Sequence, residues 1–474
     1  MALSRIWAAF IIISLLVAAV KFTFQPGQEK IFSQLVTGRN TDTIGARVVD
    51  SAMLPASVHQ QFQLEKQAVW NKERVFKADS NSYRAYRLLP SNGIFETCKG
   101  AVEICIGLIG IMALFMGFMS IAEKAGGVRL LSRIIGPFFT RIFPELPKGH
   151  PAMGHMVMNF SANIMGLDNA ATPFGIKAME SLQEINPNKE RASNSQLMFL
   201  CLHASGLTLI PVSIIAARAS LKHPSANPTE IFIPCMIATF AATIAALLVV
   251  SFKQRINIFQ KTILGWILGI SAVIALMVVY LTSLGSDRLQ SVSGILSNGL
   301  ILLIFLLIVL GGLYKRINIF DAFVEGAKGG FETAVRIIPY LVGMLVAISL
   351  LRNSGTFDVI IDGIKSLFSS LGADTRFVDG LPTALIKPLS GSGARGMMID
   401  TMNAASTAAV SGADTFPGRL ACILQGSSDT TFYVIAVYFG AVAVKNTRYA
   451  VGAMLLADLV GIISAIAITY LFFG

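Results

Sequence analysis

The sequence predicts an all-α polytopic membrane protein made of two inverted-topology repeats with re-entrant hairpins. Three observations carry this expectation. First, the 474 residues are 54% hydrophobic and only 14% charged, with a mean hydropathy of +0.66. A helix that spans a bilayer needs about 20 mostly apolar residues, and runs near that length lie at about 6–22, 101–122, 195–218, 231–252, 262–284, 295–314, 334–352, 420–442 and 450–473. Second, Glu96, Lys99, Gly100, Glu103 and Gly126 return as Glu325, Lys328, Gly329, Glu332 and Gly355 at a constant offset of 229, which marks an internal repeat. Third, residues 123–150 carry a charge balance of +3 and the matching 352–379 a balance of −1. Lys and Arg concentrate on the cytoplasmic side, so the two copies enter the membrane in opposite senses.

Taken in order, residues 1–23 read as an N-terminal membrane anchor. Arg5, an apolar run and Val17-Ala18-Ala19 also fit a signal peptide, but no helix breaker separates the run from that site, and an uncleaved anchor is the simpler expectation. Either way residue 24 onward lies outside. Residues 24–94 form a polar extracytoplasmic insert with an amphipathic helix expected at Val58–Phe76; it is a structural cap or a docking module for an envelope partner. Repeat one follows over 95–252, a two-helix connector over 253–315, and repeat two over 316–474. The connector loops agree with a cytoplasmic N-terminus and a bacterial inner (plasma) membrane location: Lys253, Arg255, Lys261, Lys315 and Arg316 flank it, whereas Gly285–Gln290 is nearly neutral.

Two stretches, about 151–178 and 380–406, hold too much Gly, Asn, Ser and Pro for ordinary spanning helices. Gly and Pro interrupt helical hydrogen bonding, and irregular backbone survives at membrane depth only inside protein or beside a cavity. They are expected to be re-entrant hairpins, with extramembrane loops as the alternative. Copy one supplies Asn159, Ser161, Asn163, Asp168 and Asn169, and copy two Lys387, Ser390, Ser392 and Arg395.

Two further polar patches sit inside apolar runs: Leu202–Leu209, with Ser205 and Thr208, and Leu424–Thr431, with Gln425, Ser427, Ser428, Asp429 and Thr430. They match at an offset of 222. Polar groups in a bilayer are costly and usually face a solute path, so these residues and those of the two stretches are the candidate substrate-binding set. The bland alternative for the hydroxyls is hydrogen bonding between packed helices; Asp429 tilts the balance toward function. Lys387 and Arg395 beside a glycine-rich turn suit an anion, or pair internally with Asp400 or Asp168. Glu103, Glu332 and Asp429 are coupling-ion candidates, although each glutamate stands four residues after a lysine and fits a surface pair. His203 occupies the position that Gln425 holds in copy two; a lone histidine on an apolar helix is more often a satisfied core residue than a ligand.

No compact His or Cys spacing predicts a metal, the five cysteines fit neither a disulfide framework nor a zinc site, and no catalytic triad or nucleotide fingerprint is present. No enzyme activity and no cofactor are expected. The net charge of +11 reflects loop bias rather than nucleic-acid binding.

Longer motifs carry a family resemblance. Lys99-Gly-Ala-Val-Glu-Ile-Cys-Ile-Gly through Ile121-Ala-Glu-Lys-Ala-Gly126, His150-Pro-Ala-Met-Gly and Asn169-Ala-Ala-Thr-Pro-Phe-Gly resemble spore maturation protein A. Pro388-Leu-Ser-Gly-Ser-Gly-Ala394, Gln425-Gly-Ser-Ser-Asp-Thr-Thr-Phe-Tyr-Val-Ile-Ala436 and Asn446-Thr-Arg-Tyr-Ala450 resemble spore maturation protein B. The chain thus resembles a fusion of the two, within the nucleoside-recognition or gate-domain family, which is similar to concentrative nucleoside transporters and to the membrane part of the ferrous iron transporter B. The resemblance implies a gate-domain, transporter-like fold, and in spore formers an association with core dehydration and cortex. Together these readings predict a secondary transporter or channel for a small polar solute, anionic or nucleoside-like. The alternative is a structural envelope or spore-maturation scaffold that docks partners through residues 24–94. A homo-oligomer is compatible with both.

Overall fold

The computed structural model describes residues 2–474 except 26–27, 40–41, 51–53, 55–57, 59–66, 71–72, 78–81, 90, 148, 165–167, 209, 284–285 and 406–410. It divides into two compact units, residues 1–102 with 342–367, and residues 103–341 with 368–474.

The first unit begins with α1 (Ala2–Phe24) and α2 (Ile31–Thr37). Ala18, Ile31, Leu35 and Leu350 form a small core there, and Trp7 Nε1 donates to the Gly343 carbonyl at 2.9 Å. Of the amphipathic helix expected at Val58–Phe76, the described part from Gln67 onward is strand instead. Strands β1 (Thr43–Asp50), β2 (Gln67–Trp70), β3 (Glu73–Lys77) and β4 (Ser82–Leu88) make an antiparallel sheet in the order β1-β4-β3-β2; residues 59–66 lie outside the described set. The reason is a period of two. Val75, Tyr83 and Ala85 are buried with Val49, Leu54 and Val58, while Phe76 and Arg84 point outward, and alternation selects strand over helix.

The membrane part is a series of seven elements that occurs twice. The first series is α3 (Ile94–Lys124), α4 (Gly127–Ile142), α5 (Pro151–Ile164), α6 (Asp168–Glu184), α7 (Asn194–Ala204), α8 (Val212–Ala219) and α9 (Phe232–Gln254). After the connectors α10 (Lys261–Thr282) and α11 (Ser286–Tyr314) come α12 (Ile319–Asn353), α13 (Thr356–Ser370), α14 (Leu381–Ile386), α15 (Gly391–Ala405), α16 (Phe416–Gly426), α17 (Thr431–Ala441) and α18 (Ala450–Phe473). Each long opening helix gives way to an amphipathic one through a left-handed glycine, Gly126 at φ 87° and Gly355 at φ 78°. A side chain is strained in that region, so the repeated glycines of the sequence are repeated turns. With the opposite charge balances of 123–150 and 352–379, the two series are inverted-topology repeats.

One expectation is corrected and one is borne out. The runs 195–218 and 420–442 are not single helices. Each is a pair of half-helices, α7–α8 and α16–α17, and the polar patches lie where each first half-helix ends and unwinds into the link between them. The two Gly-rich stretches are helical hairpins: α5–α6 is cross-linked by Asn159 Nδ2 donating to the Ala171 carbonyl at 2.6 Å, and α14–α15 turns at residues 387–390. An aromatic chain, Phe139–Phe160 at 4.8 Å, Phe160–Phe199 at 5.9 Å and Phe199–Tyr438 at 6.2 Å, runs through the core from α4 to α17.

Candidate functional site

The two unwound links meet. In each, a serine hydroxyl takes over a helical carbonyl three residues back: Ser205 Oγ donates to Leu202 O at 2.5 Å and Ser427 Oγ to Leu424 O at 2.9 Å. Ser205 also bonds Thr243 Oγ1 at 2.9 Å. The links are then joined by one backbone bond, Asp429 N–H to the Ala204 carbonyl at 2.8 Å. The approach is close because residue 206 is glycine with φ +67°; a Cβ there would stand 2.9 Å from Asp429 N. A helix interrupted at membrane depth leaves peptide groups that need partners, and the opposite link supplies one.

Titratable side chains gather on this junction. His203, 5% exposed, holds Nδ1 between Asn159 Oδ1 at 3.0 Å and Asn163 Nδ2 at 2.9 Å. Its Nε2 faces Asp429 Oδ2 at 3.8 Å, and the Tyr438 ring stands edge-on at 4.8 Å. Asp429 Oδ1 accepts from the Thr430 N–H at 2.6 Å, which fixes the carboxylate toward the imidazole. On the other side Thr431 Oγ1 donates to Asp458 Oδ2 at 2.6 Å, and Asp458 is buried within α18.

The second hairpin seals the junction. Phe432 N–H, at the start of α17, donates to the Pro388 carbonyl at 2.9 Å. Gln425 Nε2 reaches the Gly391 carbonyl at 3.4 Å, and Gln425 Oε1 is buried without a hydrogen-bond partner. An unpaired buried acceptor costs on the order of 1–3 kcal/mol, so a donor brought by a solute would find it favourable.

The sequence-predicted residues divide by place. Asn159, Asn163, Ser205, Gln425, Ser427, Asp429 and Thr430 come together around the links and their hairpins. Ser161 Oγ bonds its own helix at Val157 O, 2.7 Å away, and Thr208 Oγ1 bonds Gly206 O at 3.0 Å. Ser390 Oγ caps α15 by accepting from Gly393 N–H at 2.9 Å and lies 3.2 Å from Ser392 Oγ. Lys387 is buried at the α14–α15 turn, Ser428 is buried in the link, and Arg395 is half-buried on α15. The side chains of Asp168 and Asn169 lie outside the described residues. Glu103 and Glu332 are exposed on α3 and α12, elements that give no residue to the junction.

Sequence reasoning treated His203 as core and passed over Asp458 and Tyr438. Asp458 had a signal, since it is the one acid in the apolar run 450–473. It also passed over two clamps that hold the half-helices. At one, fully buried Arg218 donates to Glu230 at 2.5 Å, Asp414 at 3.1 Å and the Ala413 carbonyl at 2.7 Å, while Arg419 grips both Glu230 oxygens at 2.7 and 3.1 Å. At the other, Lys445 and Asn446 N–H groups donate to the Glu190 carbonyl at 2.9 Å, with an exposed Lys445–Glu190 ion pair at 2.7 Å.

The chain is similar to known proteins across both series. The family model for Gate, nucleoside recognition, matches residues 105–221 and 334–445, which take in both sets of half-helices. Spore maturation protein B of Bacillus subtilis (strain 168) is 48% identical over 179 residues, 38% of this chain and 96% of that protein. Spore maturation protein A of the same organism is 40% identical over 159 residues, 34% of this chain and 80% of that protein. The crystal structure of the Alcanivorax borkumensis YdaH transporter aligns over 87% of this chain and 94% of that one at 13% identity and a TM-score of 0.38, a likeness too remote to bear on this chain.

Proposed function

Because the chain belongs to the Gate nucleoside-recognition family, with stretches similar to both spore maturation protein A and spore maturation protein B, we propose that it is a secondary transporter or channel for a small polar solute. One observation carries the proposal: two interrupted membrane helices from inverted repeats meet link to link, and polar side chains surround the meeting point. In secondary transporters the site lies where discontinuous helices of the two repeats come together near the midplane. Here Asp429, His203, Asn163 and the unpaired Gln425 oxygen offer a carboxylate, an imidazole and amide groups to one solute. Hydroxyl and N–H donors on a nucleoside-like molecule satisfy that set, and the cationic Lys387 and Arg395 of the second hairpin extend it toward an anionic group. The protein acts by binding and release rather than by catalysis.

The reading takes the bacterial inner membrane as the location, with a cytoplasmic N-terminus and residues 24–94 outside; reporter fusions at residue 60 and at residue 257 should then report opposite sides. Uptake of tritiated uridine and of uridine monophosphate into proteoliposomes tests the function. Asp429→Asn should lower flux at least about tenfold, the effect of losing roughly 1.4 kcal/mol of binding, and unaltered flux would refute its role. Arg395→Ala should depress the monophosphate more than uridine; equal effects on both would sink the anionic extension.

The second reading, an envelope scaffold, is favoured by the separate hydrophobic core of the 43–88 sheet. Wild-type protein that moves neither probe, with a phenotype lost on deleting residues 43–88 alone, would favour it.

A further inference from the structure

Asp458 sits in the middle of an apolar helix, is 4% exposed, and touches the junction of the two links. Its hydrogen-bond partner is a hydroxyl, Thr431 Oγ1, at 2.6 Å. Among the described residues, the charged groups that reach it are Lys387 of the second hairpin and Asp429 of the link, of opposite sign. Packing does not require the carboxylate. The offset of 219 set by Asn227 and Asn446 puts Thr239 at the matching place in α9, buried with its hydroxyl bonded to the Met236 carbonyl at 3.0 Å. Repeat one therefore forms the same kind of helix with no acid. An ionisable group kept at such a position carries a large desolvation cost and marks an ion or proton path.

We propose that Asp458 is the proton carrier that couples this protein to a proton gradient, an inference that rests on the transport reading above. The chemistry is a single reversible proton transfer to a carboxylate oxygen, taken from water on one side of the membrane and returned to water on the other. A hydroxyl donates to a carboxylate and accepts from a carboxylic acid, so Thr431 satisfies Asp458 in both states without rearranging the helices. The proton also reaches the second hairpin. Thr431 opens α17, and the next residue, Phe432, holds the hairpin through the Pro388 carbonyl at 2.9 Å. Neutralising Asp458 removes its attraction for Lys387, which lies beside Pro388 on the same turn, so protonation loosens the hairpin from the link. Coupling then follows: solute and proton bias one two-state element.

The test uses the full chain in lipid, with Asp458→Asn and Asp458→Glu variants. An infrared pH titration reads the carboxylic-acid carbonyl band directly and needs no substrate. Proteoliposomes loaded with a pH-sensitive dye, and given uridine or uridine monophosphate, read proton movement and uptake. The expected result is a titrating band lost in Asp458→Asn, together with loss of gradient-driven uptake while exchange of labelled for unlabelled probe persists. Asp458→Glu should keep a band at a shifted position and retain gradient-driven uptake. No titrating band in the wild-type protein, or full gradient-driven uptake by Asp458→Asn, overturns the proposal. A wild-type protein with a band but no exchange of any probe overturns the transport reading instead, so the two failures are told apart.

Discussion

Replacing Gly206 by alanine probes the junction at its tightest point. The glycine has φ +67°, and a Cβ would lie 2.9 Å from Asp429 N and 3.1 Å from the Ser428 carbonyl carbon. Both obstacles are backbone atoms of the opposite link, so the methyl group cannot be accommodated by a rotamer change. Left-handed backbone costs a non-glycine residue about 1–2 kcal/mol. Separating the links to relieve the clash also gives up the 2.8 Å Asp429 N–H bond to Ala204, a net loss of about 1 kcal/mol. The total of about 2–3 kcal/mol corresponds to a factor of roughly 30–150 in an equilibrium. Thermal unfolding of the full chain in detergent should show a midpoint lower by several degrees, and flux of whichever uridine probe the wild type carries should fall by at least tenfold at matched protein. Gly452→Ala is the control: that glycine lies within α18 with nothing within 4 Å of a Cβ, and the change should be neutral or slightly stabilising, since alanine is the better helix former. If Gly206→Ala matches Gly452→Ala in both midpoint and flux, the links are not in contact as described.

The clamps should respond unequally. Arg218→Met leaves the buried Glu230 and the part-buried Asp414 with one fewer cation, a change worth about 3–5 kcal/mol, whereas Lys445→Ala breaks an ion pair that is 75% and 71% exposed and should cost no more than about 1 kcal/mol; detergent unfolding midpoints rank the two. His203→Gln installs the residue that repeat two carries at the matching position, so it should fold normally but bind solute more weakly by removing the imidazole from Asp429; unchanged uptake would assign His203 to the core. Deleting residues 43–88, a sheet with its own core, should leave probe flux intact while abolishing capture of any envelope partner.

How much of this was legible depends on where the controlling interactions lie. The repeat was readable because its marks are local: Gly126 and Gly355 each close a long helix in left-handed backbone, and a backbone need of that kind writes a residue type into the sequence. The insert was misread because its strands are short and charged; Val75 and Ala85 face each other across two strands, and no single window shows that pairing. The broken helices were hidden for a different reason. Leu197–Leu202 and Ile210–Ala217 are apolar on both sides of the link, so hydropathy averages across the break. What stabilises the unwound backbone is Asp429, 225 residues away from its partner Ala204.

Asp458 shows the limit of reading by symmetry. Matching the repeats draws the eye to residues present in both copies, Ser205 with Ser427 and Thr208 with Thr430, and three of them, Ser205, Thr208 and Ser427, turn out to serve the link itself, through hydroxyl bonds to nearby carbonyls. The groups with chemistry to offer are those that the two copies do not share: His203 against Gln425, Asp458 against Thr239, Asp429 against Leu207. Inverted repeats give two interchangeable halves of a scaffold, but a solute held at one junction meets both halves at once and needs no symmetry of its own. Divergence within a shared frame is therefore the better guide to the binding groups, and a lone acid in an apolar run is the plainest form it takes.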